Sequence, residues 1–223
     1  QRQAANWPEI VLNLFCHGPI ERGLDASAGG VDIIDLAIDG IGLATAADSF
    51  AAIEQRIVQE NRLTWEELAE HLANDFSGAE PVRLMLHNIP RYGAGGTRAD
   101  WWAWRIADLW SHLVRDTPTA QGFICIPGLF SHGGTNRYGE RLGATPNGRH
   151  AGAPLSHSAD PDPGFLQVGS VAATAKASAV AAVQPRWGNT TPLQIELDQS
   201  LAKSLGGIEA VENLILAHNA QGG

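Results

Sequence analysis

Gly143-Ala-Thr-Pro-Asn-Gly-Arg149, followed by His150 and then Ala151-Gly-Ala-Pro-Leu155, is the stretch that decides how the rest of the chain is read. Pro146 presets φ for the first corner of a turn, Asn147 tolerates a left-handed corner, and Gly148 takes positive φ without steric cost. The chain must therefore reverse tightly here, and Arg149 leaves from a stiff turn. Around it, from Pro127 to Pro163, no run of period 2 or 3.6 stands out, while Gly, Pro, Asn, His and Arg are dense. A long loop of that composition is normally held against a scaffold because it lines something.

The twelve residues Gly143 to Pro154 resemble a block of the glycyl radical enzymes, the pyruvate formate-lyase family: Gly-x-Thr-Pro-(Asp or Asn)-Gly-Arg-x-Ala-Gly-x-Pro. A second block lies ahead of it in the same order. Gly40-Ile-Gly-Leu-Ala-Thr-Ala-Ala-Asp-Ser-Phe-Ala-Ala-Ile53 is similar to the family's Gly-x-Gly-(Leu or Ile)-Ala-(Asn or Thr)-x-Ala-Asp-Ser-Leu-Ala-Ala-Ile, and Asn88-Ile-Pro-Arg-Tyr-Gly93 resembles a third, shorter one. The resemblance implies an α/β fold, part of a pyruvate formate-lyase-like β/α barrel, helix-rich with a few barrel strands. It implies one domain over 1–223, its helical part about 1–118 and its barrel strand and loop part about 119–223. Family members are several times longer, so the chain is expected to be an internal or C-terminal-half piece of such an enzyme.

Composition sets outer bounds. A chain of 223 residues with 44% hydrophobic content can bury a real core. A net charge of −9 leaves no basic patch to displace counterions from phosphates, which argues against nucleic acid and an anionic membrane surface. No apolar run reaches eighteen residues and no leader opens the chain, so a cytoplasmic protein is expected. Two distant cysteines, Cys16 and Cys125, fit a reducing compartment better than a disulfide scaffold.

Local patterns predict helices over 8–17, 46–60, 65–75 and 97–115, packed around strands near 122–130 and 192–197. Val31 to Ala37 reads as a further strand, Ser170 to Val183 as a buried small-residue helix and Ile208 to Ala217 as a last helix. Thr45 with Asp48, Thr64 with Glu67 and Thr97 with Asp100 have capping-box spacing. Trp101, Trp102, Trp104 and Trp110 spread around too much of one helix to form a stacking platform, so packing against the rest of a large enzyme is expected. Cys16, between Phe15 and His17 in an apolar stripe, reads as a buried structural thiol rather than the family's catalytic cysteine.

Site residues follow from the resemblance. If the fold is the family barrel, the strand ending near Phe130 delivers Leu129, Phe130, Ser131 and His132 to its mouth, where they would bind substrate. No catalytic residue is assigned. Metal is disfavoured, because His132, His150, His157, Asp160 and Asp162 lack ligand spacing. The radical glycine of the family sits in an Arg-Val-x-Gly-Tyr loop, which these residues do not contain; Gly222 and Gly223 read instead as the end of a helix. The chain itself therefore needs no cofactor, while the parent would carry a glycyl radical installed by an activating enzyme with an iron-sulfur cluster and S-adenosylmethionine. Implied partners are a small-molecule substrate, that activating enzyme and a second copy as a homodimer. The competing reading is a non-catalytic truncated paralogue that binds a partner. A hydrolase using His157 with Ser156 or Ser158 lacks a nucleophile-elbow signature.

Overall fold

The computed structural model describes residues 5–119, 122–166, 170–184 and 188–223. Two short helices, α1 (Ile10–Asn13) and α2 (Pro19–Arg22), lead to β1 (Asp35–Asp39). Then come α3 (Leu43–Ile53), prolonged by a π-helical turn at Glu54–Gln59, α4 (Trp65–Ala73), α5 (Glu80–His87) and the long α6 (Arg98–Asp116). After β2 (Ile124–Gly128) follow α7 (Thr135–Gly139), α8 (Ser170–Ala182) and α9 (Leu205–Ala220).

β1 and β2 pair in parallel, in register from Asp35 opposite Ile124 to Asp39 opposite Gly128. A parallel pair needs a crossover, and here α3 to α6 supply it. Helix α6 lays Ala99, Ala103, Ala107, Ser111 and Val114 along one buried stripe, and α3 answers with Ala44, Ala47, Ala51 and Ala52. Small residues on both faces let the two axes approach closely, and Leu43, Leu86, Tyr92 and Leu129 close the core around them.

Two of the three expected capping boxes form. Thr64 Oγ1 accepts from the Glu67 N–H at 3.1 Å while Glu67 returns to the Thr64 N–H at 2.8 Å. Thr97 and Asp100 do the same at 3.0 and 2.8 Å. The third does not: α3 starts earlier, after Gly42. Thr45 instead exchanges hydrogen bonds with Ser156, N–H to Oγ at 3.2 Å and Oγ1 from the Ser156 N–H at 3.0 Å. Asp48 accepts from the Tyr92 N–H and from Arg91, both at 2.8 Å.

Other expectations are also corrected. The helix over 8–17 shrinks to Ile10–Asn13, because its apolar side meets nothing: Trp7 is 79% exposed and Phe15 82%. A helix without a packed face has little to hold it beyond propensity. Cys16 is accordingly half-buried rather than buried, whereas Cys125 on β2 is buried. The strand expected over 31–37 sits at Asp35–Asp39. The strand expected over 192–197 makes no ladder, although Leu193 and Ile195 still alternate inward of Gln194 and Glu196. The bonds to β2 come earlier, from the Asn189 N–H to Pro127 O at 2.7 Å and from the Leu129 N–H to Thr190 O at 3.0 Å. Pro192, with no N–H, cannot extend them. Helix α8 buries Ala177, Val180 and Ala181 but leaves Val171 75% exposed.

Asp48 and Asp162 flank Arg91, at 2.8 and 3.5 Å from its guanidinium. Burial pushes the Asp48 carboxyl upward against the pull of Arg91, and it pushes Asp162 from 3.8 up to about 6. Folded Asp162 thus keeps a proton that the unfolded chain has lost between about pH 4 and 6. Its contribution to stability is full below that window and gone above it. Asp162→Asn should therefore leave stability unchanged near pH 4 and raise it by about 1 to 2 kcal/mol at pH 7 in urea melts, the full linkage value being reduced by partial exposure. Equal stability of the two chains at both pH values would contradict this.

Candidate functional site

The two parallel strands end side by side, and the chain leaving them shapes a cleft of ≈ 350 Å³. Asp39 and Ile41 come from the end of β1, Phe130 to Gly134 from the segment after β2, and Arg137 and Tyr138 from α7. The carboxyl ends of parallel strands are where loops gather and where α/β proteins place their ligands.

Strand alternation sorts the residues expected to bind substrate. Leu129 is 3% exposed and points into the core beside Gly40 and Trp110, so it does not line the cleft. Phe130, Ser131 and His132 do line it. His132 sits in the left-handed region at φ 47°, its ring 3.8 Å from that of Phe130 and its Nε2 3.2 Å from Asp39 Oδ2. Left-handed backbone at a non-glycine residue is uncommon and is found where surrounding structure over-determines it. Ser131 is buried; its N–H donates to Ser158 Oγ at 3.3 Å. The other Asp39 oxygen is buried against Gly128 and has no hydrogen-bond partner among the described residues.

Asp39, Arg137 and Tyr138 escaped the sequence reading. Asp39 stands directly before Gly40-Ile-Gly42 at the strand's carboxyl end, which was the available signal once β1 was known to pair with β2. Arg137 and Tyr138 lie on α7, a helix too short to show a period.

The Gly143–Arg149 turn forms as its residues dictate and braces the cleft's far wall. Thr145 and Arg149 make an antiparallel bridge, and the Gly148 N–H donates to Thr145 O at 3.0 Å. Gly148 has φ 80°, and a Cβ there would come within 2.8 Å of Arg83 O. Arg149 then folds back: Nη1 donates to Gly143 O at 2.8 Å, Nη2 to Gly139 O at 2.9 Å and to Ala153 O at 2.6 Å, and Nε to Ala153 O and Pro154 O. It holds backbone carbonyls. Its desolvation lowers its pKa from the usual guanidinium value without threatening its charge.

The remaining candidates scatter. His132, His150 and His157 face Asp39, Asp75 and Asp160, at three separate places. Among the described residues no group of three metal-ligating side chains occurs. Ser156 and Ser158 are buried and bonded to Thr45 and Ser131, and neither is hydrogen-bonded to His157 among the described residues, which removes the hydrolase arrangement. The tryptophans divide: Trp110 donates to Gly128 O at 3.2 Å and Trp102 to Glu54 at 2.8 Å, whereas Trp101 and Trp104 are 41% and 48% exposed. Larger hollows exist elsewhere, one of ≈ 630 Å³ between Leu201 and Leu216 and one of ≈ 790 Å³ beside Trp104 and His112, but neither touches a strand end. Among the described residues no helix is long and apolar enough to cross a membrane.

Parallel strands with a helical crossover, a cleft at their carboxyl ends and an arginine-locked turn behind it fit a piece of a β/α barrel. The chain belongs to the pyruvate formate lyase-like family, whose model matches residues 1–139. It is 27% identical over 162 residues to the trans-4-hydroxy-L-proline dehydratase of Clostridioides difficile, covering 72% of this chain and 20% of that one. It is 34% identical over 119 residues to an isethionate sulfite-lyase of Oleidesulfovibrio alaskensis, covering 52% and 14%. The glycerol-bound B12-independent glycerol dehydratase from Clostridium butyricum superposes with a TM-score of 0.88 at 27% identity, over 99% of this chain and 28% of that one. The chain thus spans between about a seventh and somewhat over a quarter of the length of these proteins.

Proposed function

We propose that this chain is one portion of the catalytic barrel of a glycyl radical enzyme, a lyase, dehydratase or acyltransferase whose whole protein breaks or rearranges a bond in a small substrate. The cleft at the carboxyl ends of β1 and β2 carries this reading: Phe130, Ser131 and His132 form part of the substrate wall, with Asp39 behind them. The exposed apolar side chains of the strand pair, Leu36 and Ile38 on β1 and Ile124 on β2, fit a parallel sheet whose faces are covered by the rest of a larger barrel. In the whole enzyme a stored glycyl radical, installed by an activating enzyme with an iron-sulfur cluster and S-adenosylmethionine, supplies the oxidant in a cytoplasmic, oxygen-free setting. These 223 residues contribute walls and scaffold, since they hold no Arg-Val-x-Gly-Tyr stretch.

The relatives named above act on an imino acid, a sulfonate and a triol, so likeness alone leaves the substrate class open. Treated anaerobically with an activating enzyme, the chain alone should give no glycyl doublet in electron paramagnetic resonance. Its coding DNA, read onward past Gly223, should continue in frame to Arg-Val-x-Gly-Tyr. A doublet that disappears in Gly222→Ala or Gly223→Ala would overturn the assignment of the radical elsewhere. A stop codon directly after Gly223, together with a start codon before Gln1, would favour a non-catalytic binding domain instead.

A further inference from the structure

We infer that the cleft takes a small substrate carrying an oxyanion, a carboxylate or a sulfonate, and that Arg137 is the group that binds it; this rests on the reading of the cleft as a substrate wall. The argument is a count of donors and acceptors. In an acidic chain most guanidinium groups are already taken: Arg22, Arg56, Arg83, Arg91 and Arg98 pair with carboxylates and Arg149 with carbonyls. Arg137 lines the cleft with no carboxylate or carbonyl partner among the described residues.

The carboxylate that could have neutralised it is occupied. Asp39 Oδ2 lies on His132 Nε2 at 3.2 Å and Oδ1 is buried against Gly128, so neither oxygen turns to Arg137. The backbone adds donors of its own. The N–H groups of His132 and Gly133, held in successive left-handed conformations, have no acceptor among the described residues. The Tyr138 hydroxyl, half-exposed on the same wall, has no partner there either. A wall with free donors on Arg137, Tyr138 and the backbone complements a group that only accepts. A carboxylate or sulfonate is such a group, and the planar guanidinium fork can hold two of its oxygens at once. A neutral polyol carries no charge for that guanidinium to pair with.

The test follows the backbone amides of Gly133 and Gly134 in proton–nitrogen NMR spectra of the labelled chain. Glycolate, isethionate and the neutral 1,2-ethanediol are titrated in turn, with the Gly148 amide as the reporter of an intact fold. At least one of the two anions should shift the cleft amides saturably, and which one does so decides between carboxylate and sulfonate; ethanediol should not. Arg137→Gln should weaken the anion's affinity about tenfold or more, and Arg137→Lys should fall between the two, because a charge without the fork is kept. If ethanediol binds as well as the anions, or if Arg137→Gln leaves anion binding unchanged, the oxyanion inference is wrong while the cleft remains a substrate wall. If none of the three ligands moves these amides, the substrate-wall reading fails and takes the inference with it.

Discussion

Arg91→Met should lower stability by on the order of 3 to 5 kcal/mol, the largest loss expected from any single substitution considered for this chain. Arg91 is the cation between Asp48 and Asp162, and it is 7% exposed. Its removal leaves Asp48, 1% exposed, with only the Tyr92 N–H as hydrogen-bond partner among the described residues. Burial already pushes that carboxyl upward, so without Arg91 it must either stay charged in an apolar surround or take up a proton. Urea midpoints at pH 7 would measure the loss. The double variant Arg91→Met/Asp48→Leu should recover much of it, since a matched apolar pair leaves no charge unpaired. A single variant that melts with the parent would show that the ion pair is not what ties α3 to the Asn88–Gly93 loop.

Features encoded within a few residues were legible in the sequence. The capping boxes at Thr64 and Thr97 form because both partners lie within one turn, and the Gly143–Arg149 turn forms because Pro146 and Gly148 permit little else. Pairings across the fold left no such trace. Thr45 and Ser156 are 111 residues apart, Asp39 and His132 93, and Asp48 and Arg91 43. Two of these pairs redirected a side chain that local spacing had assigned elsewhere, as when Asp48 left a supposed cap for Arg91. The 8–17 region failed for the opposite reason: periodicity states which face could be buried, but not whether anything covers it. At the cleft, strand alternation, visible only once β2 was placed, separated Leu129 from Phe130. Arg137 needed the fold outright, because its interest lies in its place on the cleft wall without a carboxylate or carbonyl partner among the described residues.

Arg149→Lys should lower the melting temperature, with a loss on the order of 1 to 3 kcal/mol, although it preserves charge and nearly preserves length. The guanidinium gathers carbonyls from Gly139, Gly143, Ala153 and Pro154, so one side chain ties the end of α7, the start of the turn and the segment after it. An ammonium carries three donors on a flexible stem and cannot reach four acceptors arranged around a plane. At least one carbonyl would then face a poorly hydrated space alone. Room for adjustment is small: a Cβ at Gly139 would meet Ala153 O at 2.2 Å, so the strands of this loop are already at contact. The same cage explains why the substitution should be felt at the cleft. Leu155 donates its N–H to Thr135 O at 3.2 Å, so loosening the 149–155 segment frees the start of α7 and with it Arg137 and Tyr138. The variant should therefore show both a lower melting temperature and broadened Gly133 and Gly134 amide signals. A variant that melted like the parent chain but no longer bound a small acid would instead make Arg149 a substrate ligand, and the wall of the site would have to extend from Ser131 to Arg149.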